Sequence, residues 1–206
     1  MAGSDFDVWR ESLLVAAGVR RPAYPPPCVM GDEALMRPKA HGTSEAGVQP
    51  KLRWKCCREL ADRICNFNRS EAEPFGYFEE ISFLDEEPQG GEPPYYQAGK
   101  CTFFDSNTGK PLFFIPRGRP FMDFVEDSHT HGWLSFRDNE ANWDLVRCLP
   151  NGEIVSVDGT HLGHNLPDTL GNRYCINIVS VAGCPAAEDQ TEAECSMGKC
   201  GRLRHR

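Results

Sequence analysis

The chain has 206 residues, a formal net charge of −8, 40% hydrophobic and 25% charged residues, the balance of an ordinary globular protein. Its acidic surface with scattered basic residues excludes a phosphate backbone as the expected partner. No run approaches the roughly 18 apolar residues that a membrane-spanning helix needs.

Asp5, Asp7 and Glu11 interrupt the first residues. Acids at these positions argue against a secretory signal and against a transit peptide. The expected location is therefore cytoplasmic, or plastid or mitochondrial after processing. Ten cysteines are present. Without an export signal, reduced thiols are expected, although the even count also allows a disulfide framework.

Six prolines between Pro22 and Pro50 break the first fifty residues, leaving a short helix near Asp7 to Ala17. From Trp54 the pattern turns helical: Trp54, Cys57, Ala61 and Ile64 recur at three- and four-residue steps, with Leu60 widening the stripe. Cys57 on that face reads as a small buried hydrophobe. The turn-rich stretch Glu87 to Pro94 ends a partly helical N-terminal extension, residues 1–94. Beyond it, residues 95–183 read as one mainly β domain, and residues 184–206 as a loose cysteine-containing tail.

Within that domain, Cys101 to Phe104 and Pro111 to Ile115 flank Asn107-Thr108-Gly109, and Asp144 to Leu149 and Glu153 to Val157 flank Pro150-Asn151-Gly152. Asn and Gly tolerate the positive φ of tight turns, so both pairs predict hairpins. The last run, Arg173 to Val181, predicts a strand whose alternation puts Arg173, Cys175, Asn177, Val179 and Val181 on one face.

That face would carry a cation beside a thiol, which favours the nucleophilic thiolate. Just upstream, His161 and His164 stand three apart in a glycine-containing turn, followed by Asp168. The same residues also fit a polar loop above a structural cysteine. A zinc site is a further reading, since His-x-x-His with Asp and Cys are all zinc donors. Against it, Arg173 would repel a dication, and the chain has no Cys-x-x-Cys.

His161-Leu162-Gly163-His164, Asp168 and Arg173-Tyr174-Cys175-Ile176-Asn177 together resemble the signature of B-type methionine sulfoxide reductases, the SelR domain family. Gly132-Trp133-Leu134-Ser135-Phe136 is similar to that family's Gly-Trp-Pro-Ser-Phe element, with Leu134 in place of proline. Gly109-Lys110-Pro111-Leu112-Phe113 resembles the start of its first sheet. The resemblance implies two small antiparallel sheets forming a β-tent, and reduction of methionine-R-sulfoxide, free or protein-bound, through a sulfenic acid. It implies Cys175 as nucleophile, His161 and His164 as proton carriers, Arg173 as thiolate stabiliser, and Asp168 and Asn177 as orienting groups. Trp133 and Phe136 are then expected at the substrate.

Two departures from the family follow. Its two Cys-x-x-Cys zinc pairs correspond here to Asp105 with Thr108 and to Val155 with Asp158, so no structural zinc and no other cofactor is expected. Its resolving cysteine corresponds to His131, which leaves Cys195, Cys200, Cys184 and Cys148 as candidate resolving thiols. Recycling by thioredoxin or glutaredoxin is implied, with oxidised proteins as substrates. A catalytically silent binding subunit that keeps this fold is the rival reading, and residues 1–94 could dock on a larger complex.

Overall fold

The computed structural model describes residues 24, 26–84 and 101–185. The expected helix at residues 7–17, the connector at 87–94, and Cys195 and Cys200 lie outside the described residues. The architecture is mainly β with two antiparallel sheets, as expected. β1 (Cys101–Phe104) and β2 (Pro111–Ile115) form a hairpin around Asn107. The second sheet has five strands in the order β3 (Leu134–Phe136), β7 (Tyr174–Ile176), β6 (His161–Asn165), β5 (Glu153–Ser156) and β4 (Val146–Cys148). β4 and β5 are the second predicted hairpin, with Gly152 at φ 91°. No helix of the described residues is long and apolar enough to cross a membrane.

The helical pattern from Trp54 marks the buried face correctly, since Trp54, Cys57, Leu60, Ala61 and Ile64 are all buried. The helix itself is broken into a 3-10 turn (Arg53–Lys55), α1 (Arg58–Asp62) and a π turn (Arg63–Phe67). Trp54 and Lys55 sit at φ 57° and 61°, left-handed positions that cost L-residues roughly 1–2 kcal/mol each. Packing of Trp54 against Phe83 and Phe103, at ring distances of 5.0 and 5.6 Å, offsets that cost. α2 (Tyr77–Glu80) follows. α3 (Phe121–His131) connects the two sheets and ends on Gly132 at φ 79°.

Residues on both sides of the 94/95 boundary share one hydrophobic core, in which Ile64 and Phe78 meet Phe103, Phe124 and Ile176. The expectation of reduced thiols needs a correction. Cys57 and Cys184 are disulfide-bonded, so Cys57 is more than a small hydrophobe, whereas Cys28, Cys56, Cys65, Cys148 and Cys175 are free.

The final strand is also shorter than its alternation predicts. β7 stops at Ile176, and residues Ile178–Ser180 form a 3-10 turn. The backbone N–H groups of Ile178 and Val179 donate to the buried Glu73 carboxylate at 2.8 and 3.0 Å. The donors that would continue the ladder are thereby used on a side chain.

Candidate active site

Directly paired residues of neighbouring antiparallel strands share a face. Ser135 pairs with Cys175, Cys175 with His164, and His164 with Glu153. A hydroxyl, a thiol, an imidazole and a carboxylate therefore form one row across four strands. The opposite face carries Leu134, Ile176, Gly163, Ile154 and Cys148 by the same register.

His161 and His164 lie in β6, not in the turn that the sequence suggested. Three residues apart in a regular strand, they would face opposite ways. Val155 pairs with His161 while Ile154 pairs with Gly163, so Leu162 is an extra bulged residue. The bulge returns His161 to the row of His164, and the two rings stand 5.5 Å apart. Gly163 lets β6 and β7 approach closely, because a Cβ there would lie 2.0 Å from the Cys175 carbonyl oxygen. Gly163→Ala should therefore destabilise the protein by about 1–3 kcal/mol, the usual range for overpacking. Urea unfolding checks it; an unchanged midpoint would show that β6 and β7 can part without cost.

His161 is buried, and its Nδ1 bonds Glu153 Oε1 at 2.7 Å. Burial pushes the Glu153 carboxyl up, but hydrogen bonds from His161 and Arg69 hold it below its usual range. As a carboxylate it can only accept, so His161 Nδ1 carries a proton. Arg69 meets Glu153 through Nε at 3.0 Å to both oxygens and reaches Glu33 through Nη1 at 2.6 Å. Burial, then the neighbouring His161, lowers the His164 pKa, so His164 is neutral at pH 7.

Among the described free cysteines, Cys175 alone is not buried. Burial of its sulfur pushes its pKa up, Arg173 pulls it down by charge and hydrogen bond, and Glu73 adds to the rise. The net direction is upward. Burial thus outweighs the lowering influence of Arg173. Cys65 and Cys56 are fully enclosed and pushed up by that enclosure. Contact with Cys148 holds the Cys28 thiol below its ordinary value, yet Cys28 is buried beneath the opposite face of the sheet with Cys148 and Tyr174.

Arg173 is buried. Its Nη1 donates to Ser135 Oγ at 3.3 Å, and its Nε has no hydrogen-bond acceptor among the described residues. Asp168 is exposed and serves the arginines, not the histidines. Arg137 grips it at 2.9 and 2.8 Å, Arg173 Nε lies 3.8 Å away, and the Arg137 contact first of all holds its pKa down at about 2. Asn177 is buried, and its amide donates to the Leu162 carbonyl at 3.2 Å while its Oδ1 accepts from Glu73 N at 3.3 Å. It thus ties β6 to the N-terminal segment.

Trp133 stands just before β3, two residues from Ser135, partly exposed, its Nε1 donating to the Glu73 carbonyl at 3.0 Å. Phe136 is a correction. It falls on the opposite face, fully buried, with its ring stacked 4.3 Å from Phe113, and cannot line a substrate cleft. Cys148 is likewise buried on that face, and the Cys184 sulfur is committed to a disulfide. Neither stands ready to attack an oxidised Cys175.

The positions that the family gives to zinc are engaged otherwise. Asp105 is buried and accepts from Asn107 N, Thr108 N and Thr160 Oγ1, while Asp158 pairs with Lys110 at 2.9 Å. Val155 is buried and offers no donor. Elsewhere, ligand atoms of Asp127, His131 and Asp168 come within 4.8 Å of one another. Arg137 bonds both of these carboxylates, and Arg119 also bonds Asp127. Their charge is already matched.

Glu153, Arg69 and Glu73 were not singled out by the sequence. An acidic residue opening the apolar run Glu153–Ser156 was the one visible signal.

Fold and site together describe a mainly β protein with a partly exposed cysteine between an arginine and paired imidazoles. Over 95 residues the chain is 34% identical to the peptide methionine sulfoxide reductase MsrB of Methylibium petroleiphilum, covering 45% of this chain and 56% of that protein. The chain thus spans about half the length of the curated relative it matches. The likeness supports an MsrB-like relationship. No family model matches the chain, and no solved structure does.

Proposed function

We propose that the chain reduces methionine-R-sulfoxide to methionine with Cys175 as the nucleophile. The observation that carries this reading is that the one non-buried free cysteine of the described residues sits directly opposite His164 and beside Arg173. The Cys175 sulfur attacks the sulfoxide sulfur, and the sulfoxide oxygen ends on Cys175 as a sulfenic acid. The substrate sulfur gains two electrons and leaves as a thioether, while Cys175 loses two. The thiol proton needs a carrier to the oxygen, and neutral His164, next to the Glu153-anchored His161, supplies one at neutral pH.

An external thiol then condenses with the sulfenic acid, releasing water, and a second thiol frees Cys175. With Cys148 and Cys184 engaged elsewhere, thioredoxin or glutaredoxin acts directly or through the tail thiols Cys195 and Cys200. Structural zinc has no place in this account, which metal analysis of the purified protein checks. The deciding assay is turnover of dabsylated methionine-R-sulfoxide with dithiothreitol. Release of dabsyl-methionine supports the enzyme, whereas no turnover by a folded protein favours a silent binding subunit.

The pKa balance at Cys175 gives a separate test. Because burial raises the pKa, alkylation of Cys175 by iodoacetamide should increase with pH through a value above that of an ordinary cysteine. Arg173→Gln removes the lowering influence and should slow the reaction at pH 7 by about tenfold for each unit of further rise. Peptide mass spectrometry reads the Cys175 adduct. An unchanged rate would show that Arg173 does not act on the sulfur.

A further inference from the structure

Cys28 and Cys148 are free, buried and unused by the chemistry above. The chain at Val29–Gly31 runs parallel to β4, the last strand of the five-stranded sheet. Cys148 N donates to the Val29 carbonyl and Gly31 N donates to the Cys148 carbonyl, both at 2.9 Å, so Met30 stands opposite Cys148. Residues two apart along an extended segment face the same way. Cys28 therefore shares the face of the sheet to which Cys148 belongs, and there the Cys148 thiol donates a hydrogen bond to the Cys28 sulfur. Two thiols about 120 residues apart in the chain are held against each other by that ladder.

The other described free thiols have no such neighbour within reach. Cys65 is fully enclosed, its Sγ turned to Ser180 Oγ at 3.5 Å. Cys175 lies on the opposite face of the sheet from Cys148, by the pairing of Cys175 with His164, His164 with Glu153, and Cys148 with Ile154. Of the facing pair, Cys148 is wholly covered while Cys28 keeps 6% exposure. Cys28 is also the better nucleophile, since the hydrogen bond from Cys148 holds its thiol below the ordinary value.

We propose that Cys28 and Cys148 form an oxidant-closed latch, in which a peroxide joins them in a disulfide that fastens the chain around Cys28 to β4. The Cys28 sulfur attacks the peroxide O–O bond, keeps one oxygen as a sulfenic acid and releases the other as water. The Cys148 sulfur then displaces the sulfenic oxygen, which leaves as a second water with the Cys148 proton. Two thiols lose two electrons in all, and the peroxide gains them. Closing so long a loop removes much of the freedom of the unfolded chain and so favours the folded one. The latch does not depend on the reductase reading.

The test uses the full chain, purified without reductant so that the disulfides of Cys57 and Cys184 stay closed. Hydrogen peroxide is added, and the protein is denatured, alkylated with iodoacetamide and read by peptide mass spectrometry. The expected product is a linked pair of peptides joined through Cys28 and Cys148, with Cys56 and Cys65 alkylated. Peroxide should also raise Tm by roughly 5–15 °C in the wild type. Cys28→Ser, which keeps the size of the side chain, should show neither the linkage nor the rise. Cys28 and Cys148 both recovered as alkylated thiols, or Cys28 recovered as an unlinked sulfinic acid, would overturn the latch. An equal rise in Tm in the Cys28→Ser protein would overturn it as well.

Discussion

Cys175→Ser should abolish sulfoxide reduction, with turnover falling by roughly a thousandfold or more, to the uncatalysed background. A hydroxyl in place of the thiol ionises far less readily and cannot accept the sulfoxide oxygen as a stable sulfenic acid. Serine fits the space, and the position is partly exposed beside Ser135 in the sheet. The stability change should therefore stay within about 1 kcal/mol. Turnover of dabsyl-methionine-R-sulfoxide and urea unfolding, measured on the same preparation, separate chemistry from folding. Retained turnover would move the nucleophile to another sulfur.

The second large effect is expected at Glu153, which the sequence did not mark. Glu153 is 2% exposed and binds two partners, the ring of His161 and the guanidinium of Arg69. Glu153→Gln keeps the shape but can present an amide N–H to His161 Nδ1, which would reverse the tautomer and leave Nε2 unable to accept a proton. The expected loss in kcat is about a hundredfold, the lower end of what a positioned acid–base group contributes. Stability should fall by a few kcal/mol, because a charged group that loses its buried partner is costly; the estimate is tempered by the partial exposure of Arg69. Steady-state kinetics across pH 5 to 9 checks the first part and urea unfolding the second. A Gln variant with unaltered kcat would leave Glu153 a structural role alone.

Much of the candidate site was legible because its polar groups are close in the chain. His161 and His164 lie in β6 and Cys175 in the adjacent antiparallel β7, which Arg173 immediately precedes, so local spacing already places them together. The hairpins were equally visible through Asn151-Gly152 and Asn107. Strand alternation misled at one point for an identifiable reason. The Glu73 carboxylate captures the N–H groups that an extended strand to Val181 would need. Phe136 was misplaced because similarity of a short motif carries no face. Its neighbour Ser135 is the residue in the thiol row.

What remained hidden comes from residues 28–83. Arg69 and Glu73 reach the site through packing of the N-terminal segment on the sheet, roughly a hundred residues from Cys175 in the chain, and no local pattern encodes such a meeting. The helical stripe from Trp54 named the buried face but not the left-handed residues that break the helix.

The most direct measurement is peptide mass spectrometry after one equivalent of methionine-R-sulfoxide is added to the fully reduced chain, with dimedone present to trap sulfenic acid. The account predicts a dimedone adduct on Cys175, or a disulfide from Cys175 to a tail thiol, formed in step with one equivalent of methionine. Methionine produced with the Cys175 thiol untouched, or no methionine from a folded and reduced protein, would contradict it.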